Sequence, residues 1–242
     1  MNFFLWTAPF TYGQTIITDR PDQTESSSAV PKKSLQFETG LLIESTNNDQ
    51  KILAPTVLTR YGLTKDIELR LLTQYEMTKI KTNNVNNYGV SDLEVGTKIQ
   101  LYKKEQSSTE IAFISHLVVP TASNKLSNGK IGTINKLSVS HSISELFGVG
   151  YNIGYDYFGT DRGDFTYSFA LCFSMTNTFG IYIEPYGKIA NFDKHEANFD
   201  SGITYLLKDN FQLDLSYGLG INYNMNYIAL GCSFNIQTNK DQ

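Results

Sequence analysis

From Phe211 to Tyr223 the chain reads FQLDLSYGLGINY. Phe211, Leu213, Leu215, Tyr217, Leu219, Ile221 and Tyr223 fall on one parity, and Gln212, Asp214, Ser216, Gly218, Gly220 and Asn222 on the other. Successive side chains of a strand point to opposite faces, so strict alternation predicts a strand with one apolar and one polar face. It is about twice the usual strand length.

The same alternation recurs at Leu35 to Glu44, Ile67 to Glu76, Leu93 to Leu101, Phe147 to Tyr157, Phe165 to Met175, Ile181 to Ile189 and Ile228 to Ile236. It is weaker at Leu53 to Leu63, Ile111 to Val119, Leu137 to Ile143 and Phe199 to Leu207. About twelve strands are therefore expected. A faint repeat accompanies them, a small turn followed by a fresh strand, in LTKDIELRL, SISELFGVGY, MTNTFGIYIE and LLKDNFQLDL. The connections alternate in length. Loops are expected at Thr46 to Lys51, Asn83 to Gly89, Ser123 to Gly132, Gly159 to Asp164 and Phe192 to Glu196, with tight turns at Lys65, Glu145 and Asn177.

Alternation does not say which face is hidden: a soluble sandwich buries its apolar face between two sheets, whereas a membrane barrel turns that face to lipid. Composition bears on the choice. The 242 residues include 15 Phe and 15 Tyr, and charged residues make up 18%, below the roughly 25% of an average soluble domain. Strands near ten residues, alternating long and short connections, an even strand count and aromatics near strand ends (Tyr155, Tyr157, Phe165, Tyr167, Tyr223, Tyr227) all favour a transmembrane barrel. So does the opposite parity, where Gly148, Gly150, Gly154, Gly218, Gly220 and Gly231 accompany charges of both signs, as a confined polar lumen requires. The expected fold class is all-β, a single antiparallel transmembrane β-barrel of about 12 strands (range 10 to 14).

Other classes are excluded more simply. The longest apolar run, Phe169 to Phe173, is five residues, far short of the roughly 18 to 20 of a membrane-spanning helix. A net charge of −4 offers no basic field for nucleic acid. Cys172 and Cys232 belong to no disulfide framework or zinc array, and no metal site or cofactor is expected. His116, His141 and His195 have no Ser two residues on, so a lipid-acting hydrolase displaying His and Ser at that spacing is the weaker alternative to a channel. A structural or adhesion barrel with a closed interior is another.

Residues 1–14, with the apolar block Phe3 to Trp6 but no basic stretch before it, read as a truncated signal peptide. Residues 15–33 include TDRPDQTESSSAVPKK, with two prolines and no aromatic residue, and read as a periplasmic segment or plug. The barrel is expected over residues 34–237 and a polar tail over 238–242. The pore-lining set is Glu38, Arg60, Glu68, Arg70, Glu76, Asp92, Glu94, Lys98, Asp156, Glu184, Lys188, Asp200 and Asp214. Charges removed from bulk water need partners, and acids and bases on neighbouring strands would set a transverse field that selects solutes. In the plug, Asp19, Arg20, Asp22 and Glu25 are expected to meet bases such as Arg60 and Arg70 and acids such as Glu68 and Glu38.

Three stretches, TDRPDQTES at Thr18 to Ser26, LQFETGL at Leu35 to Leu41 and TVLTRYGLTKDIELRL at Thr56 to Leu71, resemble a bacterial family named for the meta-pathway of phenol degradation, many of whose members are described as transporters. The resemblance is by motif over the first third and by hairpin rhythm beyond. It implies an outer-membrane barrel of Gram-negative bacteria, with membrane lipid, a small solute and the barrel assembly machinery as partners. One departure is that such barrels commonly finish on an aromatic residue, whereas Phe234 here is followed by the polar NIQTNKDQ.

Overall fold

The computed structural model of the protein describes residues 16–47, 49–81, 84–104, 107–123, 125–159 and 162–237. The expected signal peptide (1–14) and tail (238–242) lie outside the described residues. Among these there is no helix. The strands are β1 (Ser34–Thr46), β2 (Asp49–Gly62), β3 (Ile67–Ile80), β4 (Val85–Val90), β5 (Leu93–Lys103), β6 (Thr109–Val119) and β7 (Gly132–Ser142). They continue with β8 (Phe147–Tyr157), β9 (Asp164–Ser174), β10 (Phe179–Ala190), β11 (Lys194–Lys208), β12 (Phe211–Gly220) and β13 (Met225–Gln237).

Neighbours in sequence pair antiparallel except β4 and β5, and β1 pairs with β13 from Ser34↔Gln237 to Thr46↔Met225, closing the sheet. The last strand thus continues through the polar residues after Phe234, with Ile236 still facing outward at 48% exposure. Thirteen strands and a twelve-strand barrel are reconciled by β4 and β5. Both pair antiparallel with β3, β4 at Tyr75 to Ile80 and β5 at Ile67 to Leu72, so they are one strand broken at Ser91 and Asp92. The loop expected at Asn83 to Gly89 is therefore largely strand, because its backbone pairs with β3 although its Asn-rich sequence carries no alternation.

Leu213, Leu215, Tyr217 and Leu219 are 38%, 38%, 53% and 41% exposed, whereas Asp214 and Ser216 between them are 2% and 1% exposed. The apolar parity faces outward and the polar parity inward, the inversion that distinguishes a lipid-embedded barrel from a soluble one. The aromatic pairs Phe37–Phe234 (5.2 Å, stacked) and Phe147–Phe173 (5.0 Å, tilted) sit outward near one mouth and Tyr155–Phe192 (6.0 Å, tilted) near the other, as interfacial girdles do. Tyr227, expected among these aromatics, instead points inward and is 3% exposed, since the turn at Ile221 to Asn224 resets the parity between β12 and β13.

Local irregularities follow from sequence. Ala54 and Pro55 together oppose Tyr75, where the ladder shifts between Leu53 and Thr56; a proline, having no N–H to donate, fits a bulge and not a regular pair. The turns at Lys65, Glu145 and Asn177 share one end with Ser34 and Gln237, and the connection from Pro120 to Ile131 lies at the other. These are called below the short-turn and long-loop mouths.

Candidate functional site

Residues 16–33 do not pair into the sheet. The segment starts at the short-turn mouth, where Ile16 N–H bonds Asp209 O (2.7 Å), runs into the lumen and returns to that mouth, where Lys33 N–H bonds Gly62 O (2.7 Å). Its polar side chains and backbone amides replace the water that the lumen-facing charges would otherwise require.

Asp19 is the hub. Its carboxylate accepts from Lys98 Nζ (2.9 Å to each oxygen) and Arg70 Nη1 (2.6 Å), lies 3.3 Å from Arg60 Nη1, and takes the N–H and Oγ–H of Ser26 at 2.8 and 2.9 Å. Arg60 on β2 forks onto Glu68 of β3 at 2.8 and 2.9 Å and onto Glu38 of β1 at 2.8 Å. Arg70 on β3 reaches Glu68 (2.9 Å) and Glu25 (2.6 Å), and Lys136 on β7 holds the other oxygen of Glu25 (2.7 Å). Four carboxylates (Asp19, Glu25, Glu38, Glu68) thus meet four cations (Arg60, Arg70, Lys98, Lys136) in one network. Burial alone would raise the Asp19 carboxyl, but Arg60, Lys98 and Arg70 outweigh it and hold it well below the usual range. Glu25 is likewise lowered, Lys136 and Arg70 overcoming its burial.

Arg70 Nε also donates to His116 Nε2 (2.9 Å), and His116 Nδ1 lies 3.0 Å from Glu94 Oε2. A ring nitrogen that accepts from guanidinium carries no proton, so Nδ1 is the protonated one and donates to Glu94.

Arg20 turns away from the hub to Asp214 on β12, at 3.0 and 3.3 Å, and not to Glu38 or Glu68. Its room comes from two glycines that face each other across β1 and β13. A Cβ on Gly40 or Gly231 would stand 2.7 or 2.5 Å from Arg20 Nη2. Asp22, expected to meet a base, instead faces acids: burial, then the carboxylates of Glu184 and Asp200, raise it well above the usual range. Beside it Glu184 on β10 accepts from Gln23 N–H (2.7 Å) and from Thr24 Oγ1, which is also 2.7 Å from Ser168 Oγ. Tyr227 donates to Asp200.

Of the remaining residues expected to line the pore, Glu76 pairs with Lys51 (3.5 Å) and Ser91 (3.0 Å), and Lys188 with Asp164 (3.0 Å) near the long-loop mouth. Asp156 lines the cavity there. Asp92 differs from expectation: at the β4–β5 break it accepts from Ala122 N–H (2.9 Å) and Ser127 Oγ (2.7 Å), tying down a long loop and not lining the lumen face of a strand. Sequence reasoning missed Lys136, which sits in the weakly patterned NKLSVSHS, and Asn152, whose amide brackets Glu25 from both sides (2.7 and 3.1 Å).

The segment divides the lumen. A cavity of about 330 Å³ lies on the long-loop side, lined by Gln23, Lys136, Asp156, Tyr186, Asn198 and Tyr227 among others. A second of about 320 Å³ lies on the short-turn side, lined by Arg20, Pro21, Asp22, Thr24, His141 and Gln212 among others.

The fold is shared with solved outer-membrane proteins. The COG4313 outer membrane channel from Pseudomonas putida F1 superposes with a TM-score of 0.73 at 12% identity, covering 87% of this chain and 98% of that one. A KdgM porin in complex with disordered oligogalacturonate gives 0.58 at 12%, covering 82% and 98%. The CymD monoaromatic hydrocarbon channel gives 0.51 at 10%, covering 87% and 90%. No curated protein sequence matches. The sequence profile of the family described as "Putative MetA-pathway of phenol degradation" matches residues 18–237, the whole barrel and nearly all of the segment inside it, and the chain belongs to that family.

Proposed function

We propose that the protein is an outer-membrane channel for small solutes, with long loops outside the cell, short turns in the periplasm, and residues 18–28 forming a constriction between two vestibules. The observation that carries this reading is the pair of lumen cavities, about 330 and 320 Å³, that meet at Pro21 to Thr24 from opposite sides. Each is large enough for a small molecule, at the lower end of ordinary ligand cavities. Twelve strands give a lumen between the filled eight-stranded barrels and the open porins, so a short unpaired segment suffices to narrow it.

The charged lumen supports selection by electrostatics: toward β1, β2, β3, β5 and β12 the cations Arg20, Arg60, Arg70 and Lys98 are held in ion pairs with Asp214, Asp19, Glu38, Glu68 and Glu25, while Asp22, Glu184 and Asp200 form an acidic group near β10 and β11. A solute passing the constriction crosses between them. No group of His, Cys, Asp and Glu suited to a metal occurs among the described residues, and the ring of His141 bonds Thr109 Oγ1 (2.9 Å) and Tyr151 OH (3.3 Å) and not the flanking serines. The test is conductance of the refolded full chain in a planar bilayer. The channel reading expects discrete ion-permeable steps; a folded, inserted barrel that stays sealed under all potentials and ionic conditions would favour the closed structural barrel instead.

A further inference from the structure

The long-loop vestibule carries more carboxylates than free ammonium groups. Glu44, Asp156 and Glu196 line it together with Lys136 and Lys188. Both lysines already serve carboxylates outside that lining, Lys136 at 2.7 Å from Glu25 and Lys188 at 3.0 Å from Asp164. Glu196 is met by Lys194 (2.7 Å) and more loosely by Lys188 (3.9 Å). Glu44 on β1, half-buried, is the exception. Its carboxylate accepts one hydroxyl, that of Thr46 at 3.0 Å, and Lys51, its cross-strand neighbour on β2, sends its Nζ to Glu76 instead (3.5 Å). Among the described residues no cation stands within ion-pair distance of Glu44.

The same cavity offers apolar surface that a solute can reach. Leu42, two residues before Glu44 on the same face of β1, Tyr186 on β10 and Tyr223 in the turn between β12 and β13 are half-buried and line the cavity. Behind them lies the buried cluster of Met225, Tyr227 and Ala229. The chain itself shows what this wall does with an ammonium group. Lys194 Nζ, bonded to Glu196, lies 5.9 Å from the centre of the Tyr223 ring, within reach of the attraction between a cation and an aromatic face. Burial raises the Tyr223 phenol above its ordinary value, and the carboxylates of Glu196 and Glu44 add to the shift, so both acids bear on one ring. An anion entering here is opposed by the unpaired carboxylate, and a neutral solute gains the wall alone; a cation gains both.

We propose that this vestibule binds a small organic cation, an ammonium group on a short apolar body, with its charge at Glu44 and its body against Leu42, Tyr186 and Tyr223. The inference rests on the channel reading and adds the solute class to it.

Saturation-transfer NMR on the folded full chain in phosphatidylcholine nanodiscs, with the signal of empty nanodiscs subtracted, tests the site with three molecules of one shape: butylamine, protonated at neutral pH, 1-butanol and butanoate. Butylamine is expected to bind saturably and more weakly as salt is raised, and the alcohol and the acid to bind more weakly than the amine or not at all. Glu44→Gln, confirmed folded by its heat-shifted gel mobility, should weaken the amine about tenfold, the loss expected of one charge-assisted contact, whereas Glu145→Gln at the opposite mouth removes the same charge and should leave binding unchanged. Absence of saturable amine binding, an alcohol or acid that binds as well, or equal effects of the two substitutions would overturn the proposal, and the comparison of the three molecules decides it on the parent chain alone if Glu44→Gln does not fold. A chain that conducts yet ignores butylamine refutes the cation site and leaves the channel standing. One that binds it through Glu44 but never conducts supports the site and removes the channel.

Discussion

At the scale of single residues, Arg60 shows why an ion network belongs in this interior. It is fully buried and bonds Glu38, Glu68 and the carbonyl of Ser28, so three strands and the inner segment share one guanidinium. Removing one partner of a buried pair strands the other charge, at about 3–5 kcal/mol, whereas replacing both by apolar groups costs far less. Arg60→Ala is expected to lower stability by about that amount in urea unfolding from micelles, and Arg60→Met combined with Glu68→Leu to recover a substantial part; equal losses for the single and double variants would show that the pairing carries no coupling. Asp22 has the opposite character. Its carboxyl is raised by burial and by its acidic neighbours, so the contribution of the neutral form is complete at low pH and is lost as pH rises through the raised value. Asp19 and Glu25, being lowered, fail only on strong acidification. Conductance that increases as pH rises above the ordinary carboxylate range, and a flatter profile in Asp22→Asn, are expected from the parent and variant. A rise that survives Asp22→Asn unchanged assigns the effect elsewhere.

At the scale of elements, β12 carries the clearest signal. Leu215 is outward and pairs with Leu230 on β13 and Ile203 on β11, all three on the lipid face. Arginine there must enter hydrocarbon, and Leu215→Arg is expected to destabilise the barrel by about 2–4 kcal/mol when unfolding is followed in lipid vesicles; an unchanged midpoint would contradict the assigned face. What was legible in sequence divides along the same line. Strands such as β12 and β8 announce themselves because one side of each meets lipid and the other a polar lumen. The β4 stretch VNNYGV has no such contrast, since it is held by backbone pairing with β3 at the edge of the sheet. The lumen side of Tyr227 is not legible in sequence, because an aromatic at a strand end looks the same from either face, and only the pairing Gly218↔Tyr227 reveals that its ring lies over a lumen glycine.

For the whole molecule, the barrel, its inside-out surface and an inner segment followed from alternation and from one unpatterned polar stretch. The partner of each charge did not, because it depends on which strands the barrel brings opposite residues 18–28. Arg20 finds Asp214 only because Gly40 and Gly231 clear its path, and Glu25 finds Lys136 across 111 residues of sequence. We propose that this segment, pinned at Asp19, Arg20 and Glu25, sets the width of the pore. Single-channel conductance of the full chain and of a chain lacking Thr18 to Ala29, compared at equal folded yield, tests it most directly. A larger, less interrupted current from the shortened chain is the predicted result; identical traces from the two would contradict it.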